Sequence, residues 1–493
     1  MRWKRALLML ASTLFSLALA EAAVRVLGIT DPVLRDADPV LGWAPTPNAD
    51  GWWTREGRGH VHITEYGFRG VDVAPGHAAE GTLRVALVGD SYVEARQIAL
   101  EDTIGVQLER DLSCLRRPVE VLAFGVSGYG TAQEYLLYDA RIRAYHPDVV
   151  VLALLTGNDI GDNDDDVRMD DDPSPYFAVA ADGSLVLDDS FRTSPQYLAR
   201  QRDGGFLWLR RHSQLVRAIY AVRGHGNGAA RGELGLADEI YAPPTSDAWR
   251  TAWSRTEAIL AHYAHDVRDD GARFEVVVLS NAIQVDPDPA VRERYREAVH
   301  SEDLFYPDHR IAAAGARDGY PVLELAPLLR TYAEEHHTQL HGFPNTAMGT
   351  GHWNEEGHRV AAERLAAWMC AEELACTGPE EGQWLPARPT SSSGVASQLH
   401  VCVAGRDRIA LTVPAGQNLL LHDFDPDTRR IALWLDEDQM HGRVHVLGDG
   451  VELASCEAPT PGSAIAASWD HGVVTLRWSA GSGVGETLVC GAE

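Results

Sequence analysis

The stretch Leu83–Ser91 reads LRVALVGDS. Apart from Arg84, its first six residues, Leu83–Val88, are apolar and two of them are β-branched, a composition typical of a central strand in a parallel sheet. Gly89, Asp90 and Ser91 follow at the carboxyl end of that strand, where open α/β sheets bind their ligands. The helix that starts there presents free backbone N–H groups beside the serine. Ser91 is therefore a candidate nucleophile; the alternative is that it only caps the helix.

Two further strands end in residues suited to stabilising negative charge. Val119–Gly130 ends in small residues, and Gly128 lets the backbone approach a ligand and direct an N–H at it. Asp148–Asp159 ends in the triplet GND, and the amide of Asn158 is a second candidate donor. Taken singly, these residues read equally well as a turn glycine and a helix-capping asparagine.

A late block supplies a candidate base. Gly351–His358 (GHWNEEGH) opens an apolar-periodic helix, and His352 lies at the entrance of that helix. A surface histidine is the alternative. With Ser91 before it, this block completes a set of one nucleophile, two donors and one base, in an order that fits a single sheet.

These four blocks resemble those of the SGNH/GDSL hydrolase family: GDS, a glycine block, a G-x-N-D block and a late histidine. In this chain the third block lacks its spacer residue. The resemblance covers roughly Asp38 to Glu373. Four other stretches are similar to those of membrane-anchored bacterial members: Asp38–Trp43, Tyr66–Gly70, Asp303–Arg310 and Tyr320–Pro327.

The resemblance implies an α/β fold, a flavodoxin-like three-layer parallel sheet. It also implies Ser91 as nucleophile and His352 as general base. The oxyanion donors would be Gly128, Asn158 and the backbone N–H of Ser91.

The chain departs from the family at one position. The family places an aspartate two or three residues before the histidine, but here those positions hold Thr350 and Gly349. A backbone carbonyl or Thr350 could orient His352, or a carboxylate from elsewhere could substitute; the candidates are Asp159, Glu355 and Glu356. In the third alternative the site is weakened or inactive, because losing an orienting carboxylate costs orders of magnitude in rate.

An intact site predicts an ester hydrolase that removes small acyl groups, such as acetyl, from a carbohydrate or cell-envelope polymer through a seryl ester. An O-acetyltransferase using the same serine and a catalytically silent polysaccharide-binding or scaffold protein remain as alternatives. No organic cofactor and no metal are implied. The partner expected is an acylated carbohydrate or a small ester.

Residues 1–30 predict an export signal or signal anchor. The basic start MRWKR precedes the apolar Leu7–Ala20. Ala18-Leu19-Ala20 fits a cleavage site, whereas apolar residues resume after Glu21 and favour an uncleaved anchor. Either route places the body outside the cytoplasm, in contact with a membrane only through this segment.

Charge and cysteine content agree with such a compartment. The formal charge of −28 argues against nucleic acid as a partner, because phosphates would repel the chain. Six cysteines in an exported protein permit disulfides, and Cys370 with Cys376 is one candidate pair.

The hydrolase-like region is expected to cover residues 31–376, with an insertion at about 163–244 that is either a lid or substrate rim or a plain helical embellishment. Two local features have structural rather than metal-binding interpretations. The acidic run Asp162–Asp172 reads as a solvated loop because its spacing does not fit a calcium loop. His336, His337 and His341 read as exposed loop histidines.

The C-terminal quarter differs in composition. Residues 377–397 are rich in proline and serine and predict a linker. Short apolar runs separated by turn signals then predict a β-sandwich-like module over residues 398–493. Such a module could bind polysaccharide or act as a spacer.

Overall fold

The computed structural model describes residues 2–28, 30–32, 35–115, 117–168, 172–202, 208–210, 212–224 and 237–374, and the backbone of strand segments between 397 and 490. The chain divides into two compact units, Met1–Leu365 and Ala366–Glu493. The predicted linker lies almost wholly outside the described residues.

The strands of the first unit are β1 (Arg35–Asp38), β2 (Gly42–Pro45), β3 (Asp50–Trp53), β4 (Gly59–His62), β5 (Leu83–Gly89), β6 (Val119–Gly125), β7 (Val149–Leu154), β8 (Tyr176–Val179), β9 (Leu185–Asp188), β10 (Arg273–Val278) and β11 (Val322–Glu324). The α-helices are α1 (Arg2–Leu27), α2 (Ser91–Glu94), α3 (Ile104–Asp111), α4 (Thr131–Ala140), α5 (Thr156–Asp162), α6 (Pro195–Arg202), α7 (Gln214–Gly224), α8 (Asp247–Asp269), α9 (Pro289–Ala298), α10 (Tyr306–Asp318), α11 (Leu325–His336) and α12 (Glu355–Leu374).

Five of these strands form one parallel sheet in the spatial order β6-β5-β7-β10-β11. Numbered along the chain, this order is 2-1-3-4-5, the flavodoxin-like order of doubly wound sheets. Helices connect the strands and cover the sheet, so the predicted three-layer α/β fold is confirmed.

Burial explains why the central strands could be found from sequence. Every residue of β5 and of β7 is buried, as expected for strands covered by helices on both faces. Such strands are nearly continuous runs of Val, Leu and Ala, and the strands predicted at 83–88 and at the starts of 119–130 and 148–159 correspond to β5, β6 and β7.

Register brings the candidate residues to one edge of the sheet. Gly89 of β5 lies opposite Gly125 of β6 and Ala153 of β7. The segments that follow these three strands, which carry Ser91, Gly128 and Asn158, therefore leave the sheet at the same carboxyl edge.

The N-terminal helix α1 meets the length and composition expected of a membrane span. Among the described residues, Trp3–Leu27 is the helix that does so, with a mean hydropathy of 1.9 and little burial. Its last turns contact the insertion, as described below.

Beyond the end of α12, the described backbone of the second unit consists of antiparallel strands that form sheets of two, four and three strands. Cys370 and Cys456 are both disulfide-bonded. Cys376, the predicted partner of Cys370, lies outside the described residues.

Helix α2 rests directly on the sheet at Gly125. A Cβ atom at Gly125 would lie 2.1 Å from the backbone nitrogen of Glu94 and 2.5 Å from the carbonyl carbon of Val93. Real Cβ contacts are never that short, so any side chain here would push α2, and with it Ser91, off the sheet.

We expect Gly125→Ala to lower the free energy of unfolding by about 1–3 kcal/mol, as overpacking does in a close-packed core. The matched control is Gly161→Ala within α5, where the nearest atoms lie 3.5 Å away. That substitution should be neutral or stabilising, because alanine is favoured over glycine in helices by up to about 1 kcal/mol. Denaturant unfolding measures both; equal effects would contradict the close approach of α2.

Candidate active site

Ser91 is the first residue of α2. Asp90 caps this helix, since its carboxylate accepts a hydrogen bond from the backbone N–H of Tyr92 at 2.9 Å. The strand β5 therefore ends in a sharp turn that leaves the Ser91 side chain partly exposed at the edge of the sheet.

His352 contacts the Ser91 hydroxyl. Its Nε2 lies 2.9 Å from Ser91 Oγ, although the two residues are 261 positions apart. This is the distance expected when a neutral imidazole accepts the serine proton. The structure thus brings together two of the residues that the sequence singled out.

The other ring nitrogen of His352 contacts Glu56. Nδ1 lies 2.5 Å from Glu56 Oε2, and the backbone N–H of His352 donates to Glu56 Oε1 at 2.8 Å. Because the carboxylate accepts from Nδ1–H, it fixes the tautomer that leaves Nε2 free to face Ser91. Glu56, His352 and Ser91 therefore lie in the geometry of an acid–base–nucleophile triad.

The electrostatics of Glu56 suit this position. Partial burial would raise the pKa of Glu56, but hydrogen bonds from His352 and from Gln97 outweigh the burial and lower it. Gln97 is itself buried and donates from Nε2 to Glu56 Oε2 at 3.3 Å. The carboxylate is thus held ionised and stabilises a positive charge on His352.

A hairpin positions Glu56. It lies between β3 and β4, which pair antiparallel, and Trp53 Nε1 donates to its carbonyl oxygen at 2.9 Å. Asn345, from the loop before His352, accepts from Gly57 N–H and donates to the carbonyl oxygens of Gly57 and Thr54. These hydrogen bonds hold the hairpin against the loop that precedes His352. They add to the contact between Glu56 and His352 within the triad.

Gly351 makes the approach of Glu56 possible. Its φ is +77°, and a Cβ atom there would lie 2.1 Å from Glu56 Oε1. Any other residue before His352 would have to displace the carboxylate. The glycine thus accommodates Glu56 at the place where the family's own aspartate is missing.

The carboxylates and the threonine proposed from sequence are elsewhere. Thr350 is exposed and donates to the carbonyl of Ala347, while Asp159 is buried and accepts from the N–H of Leu155. Glu356 pairs with Arg359, and Glu355 is exposed. The expectation that Thr350 or Asp159 orients His352 is therefore corrected: Glu56 occupies Nδ1.

Sequence reasoning missed Glu56 because nothing in its spacing points to His352, which is 296 positions away. The available signal was indirect. The stretch WWTREGRGH reads as two short strands around a turn, and Glu56 is its one carboxylate. The resemblance also covered this lead-in region without assigning a residue in it.

The three candidate oxyanion donors lie at the carboxyl edge of the sheet with Ser91. Asn158 Nδ2 donates to Asp90 at 3.2 Å, which fixes the amide beside the nucleophile and leaves its second N–H available. Two hydrogen bonds hold the turn before Gly128 in place. Glu94 accepts from Ser127 N–H at 2.7 Å, and Arg35 donates to the Ser127 carbonyl at 3.2 Å.

Buried carboxyl groups lie behind the nucleophile. Asp90, Glu134 and Asp159 are fully buried, and burial raises the pKa of each of them. Repulsion by Asp90 further raises the pKa of Glu134, and repulsion by Glu134 and Asp90 further raises the pKa of Asp159. Both carboxyl oxygens of Glu134 are buried without a hydrogen-bond partner, so this group is held in its neutral form.

Two local expectations need correction. His341 is buried rather than exposed, and it contacts the Gly351 carbonyl at 2.7 Å and Ser280 Oγ at 3.0 Å. Burial lowers the pKa of His341 to about 4, so it is neutral. In the acidic run, Asn163 and Asp164 are also buried, and Asp164 pairs with Arg255 at 2.9 Å.

Comparisons with known proteins give structural matches only. No protein-family profile and no curated protein sequence matches the chain. Among solved structures, the acetyl xylan esterase AlAXEase matches with 12% identity and a TM-score of 0.31, over 57% of this chain and 98% of its own. A lipase/acylhydrolase from Enterococcus faecalis matches with 10% identity and a TM-score of 0.31, over 59% and 96%.

A variant of an acetyl-xylooligosaccharide esterase from Geobacillus also matches, with 9% identity and a TM-score of 0.29, over 58% of this chain and 93% of its own. Identities and scores at this level do not transfer an activity. The chain resembles SGNH/GDSL hydrolases in its fold. This resemblance rests on the strand order of the sheet and on the position of the four blocks at one edge of it.

The buried Glu134 makes a testable contribution to stability. Its pKa is raised in the folded state, so the folded protein keeps a proton that the unfolded chain releases above pH about 4.3. Stability therefore falls as pH rises above that value, by about 1.4 kcal/mol per pH unit, until the folded group ionises. Glu134→Gln removes this loss.

We expect Glu134→Gln to gain stability relative to the unchanged protein as the pH rises. Its free energy of unfolding, compared with that of the unchanged protein, should therefore be larger at pH 8 than at pH 5. Denaturant unfolding of both proteins at the two pH values measures this difference. A relative stability that does not change with pH would show that Glu134 is not held neutral.

Proposed function

We propose that this protein is an exported, membrane-anchored serine esterase of the SGNH type. The contact of His352 with both Ser91 and Glu56 carries the proposal, because this arrangement activates a serine hydroxyl. Of the alternatives for the missing aspartate, the geometry favours a carboxylate from elsewhere, and Glu56 takes that role.

The mechanism follows from the contacts. His352 Nε2 takes the Ser91 proton as Oγ attacks the ester carbonyl, and the ionised Glu56 stabilises the imidazolium that forms. The N–H groups of Ser91, Gly128 and Asn158 hold the oxyanion. His352 then protonates the leaving alcohol, and a water activated in the same way releases the acid from the seryl ester.

A cavity on the hairpin that carries Glu56 has walls that suit a carbohydrate. It has a volume of about 450 Å³ and is lined by Trp52, Arg58, His60 and Asp72, among others, but not by Ser91, His352 or Glu56 themselves. An aromatic ring beside charged hydrogen-bonding groups suits a sugar ring, and the apolar helix α1 suits export. We therefore propose small acyl groups, such as acetyl, on a carbohydrate or cell-envelope polymer as the substrate class.

Substituting Glu56 tests the triad directly. We expect Glu56→Gln to lower kcat/KM for an aryl acetate by about 10³–10⁴, because the amide no longer fixes the tautomer or stabilises the imidazolium. Glu355→Gln and Thr350→Ala are matched controls, since neither side chain contacts His352, and each should retain nearly full activity. Ser91→Ala should abolish the activity.

Acetate release from aryl acetate and from acetylated xylan measures these effects. Full activity in Glu56→Gln would remove Glu56 from the mechanism, and activity in Ser91→Ala would remove the seryl ester. If acetyl appears on an added xylo-oligosaccharide instead of in water, the same serine serves an acetyltransferase. No Ser91-dependent turnover of either kind would leave a silent binding protein.

Asn158 provides a test of the oxyanion donors. We expect Asn158→Ala to lower kcat by about 10²–10³ with little change in KM, because the lost N–H acts on charge that develops in the transition state. Steady-state kinetics on an aryl acetate measures the two constants. A change confined to KM would place Asn158 in substrate binding instead.

A further inference from the structure

Hydrogen bonds to Glu21 connect the insertion to the N-terminal helix α1. The Glu21 carboxylate accepts from Ser213 Oγ at 2.7 Å and from the backbone N–H groups of Gln214 and Leu215 at 2.9 Å each. Arg25 also donates to it, from Nε at 2.7 Å. A carboxylate on an apolar helix thus caps the start of α7, and each of its oxygens is satisfied.

Further contacts hold the same two elements together. Arg25 donates to the carbonyl of His212 at 2.9 Å, and Arg217 donates to the carbonyl of Pro32 at 3.0 Å. Val24 is buried, whereas Val26 and Leu27 on the same helix are exposed. The final turns of α1 therefore form one docked element with residues 208–210 and 212–219.

The length of α1 places this element at the membrane surface. The apolar segment from Ala6 to Ala20 is only about 22 Å long at 1.5 Å per residue. At the same rise per residue, a hydrocarbon core of about 30 Å takes about 20 residues, so a span that starts at Ala6 ends near Arg25. Because Ser213 and its neighbours dock on the turns that carry Glu21 and Arg25, they lie at the end of the span, where lipid meets water.

The exposed side chains of the docked element fit that environment. Trp208 and Leu209 are 60% and 41% exposed, and Ile219 is 46% exposed. Together with Val26 and Leu27 they form what we call the apolar collar. Tryptophan and aliphatic side chains of this kind are typical of elements that lie in a membrane interface.

We propose that the apolar collar contacts the lipid bilayer, so that the part of the insertion around Trp208, Leu209 and Ile219 lies in the membrane interface beside the anchor. The inference rests on the anchoring part of the proposed function and not on its esterase part. It gives residues 208–210 and 212–219 a role in binding the protein to the membrane, which is neither of the two roles considered from sequence, a lid or substrate rim and a plain helical embellishment.

Photo-crosslinking in the full-length protein tests the collar. Benzoylphenylalanine replaces Trp208 or Leu209 in protein reconstituted in phosphatidylcholine liposomes, and mass spectrometry detects lipid adducts after irradiation. Leu187 in β9 is the matched control, since it belongs to the same insertion and has the same 41% exposure as Leu209. We expect lipid adducts at positions 208 and 209 and only background at 187.

Two accompanying measurements separate the possible failures. Carbonate extraction reports anchoring: protein washed off the liposomes overturns both the anchor and the collar. Retained protein without adducts at 208 and 209, with equal adducts at 187, or with crosslinks to a second protein chain overturns the collar alone. Hydrolysis of a soluble aryl acetate by the same samples tests the esterase separately.

Discussion

The hydrogen-bonded contact between Glu56 and His352 is the interaction on which the site depends. It joins a hairpin that precedes the central sheet to a loop that follows all five of its strands. Without it, Nδ1 of His352 would have no carboxylate partner among its described contacts, and the tautomer facing Ser91 would not be selected. Gly351 and Gln97 matter because they allow and support this contact. The geometry of the nucleophile thus depends on residues outside the sheet that presents it.

The acidic groups around Ser91 fall into two classes, whose pKa values differ because their surroundings differ. Glu56 lies at the partly exposed rim, where three hydrogen bonds stabilise its charge. Asp90, Glu134 and Asp159 are buried, and burial raises the pKa of each of them. A cationic imidazole is therefore balanced chiefly by Glu56, the carboxylate that contacts it directly. Asp90 has a structural part as well, since it accepts from the Asn158 amide and from the N–H of Tyr92 at the start of α2.

Patterns that are local in sequence predicted most of the fold. The buried strands at 83–89 and 149–154 are apolar runs, interrupted only by Arg84 in the first of them. Ser91 and His352 were found because each lies at a recognisable end of such an element. Glu56 and the buried position of His341 depend on tertiary contacts between distant segments, which periodicity does not encode. The docking of the insertion on α1 is of the same kind, because Glu21 and Ser213 are 192 positions apart.

The order of the three residues along the chain has a consequence for how the protein matures. Glu56 and Ser91 leave the ribosome early, whereas His352 belongs to the last loop before the final helix of the α/β unit. Glu56 and His352 are 296 positions apart in the chain. We expect their contact to form late in folding, because the long chain segment between them must first bring its ends together. A nascent chain therefore holds a serine with no base and no acid beside it. The triad is complete only after the first and last parts of the α/β unit have met.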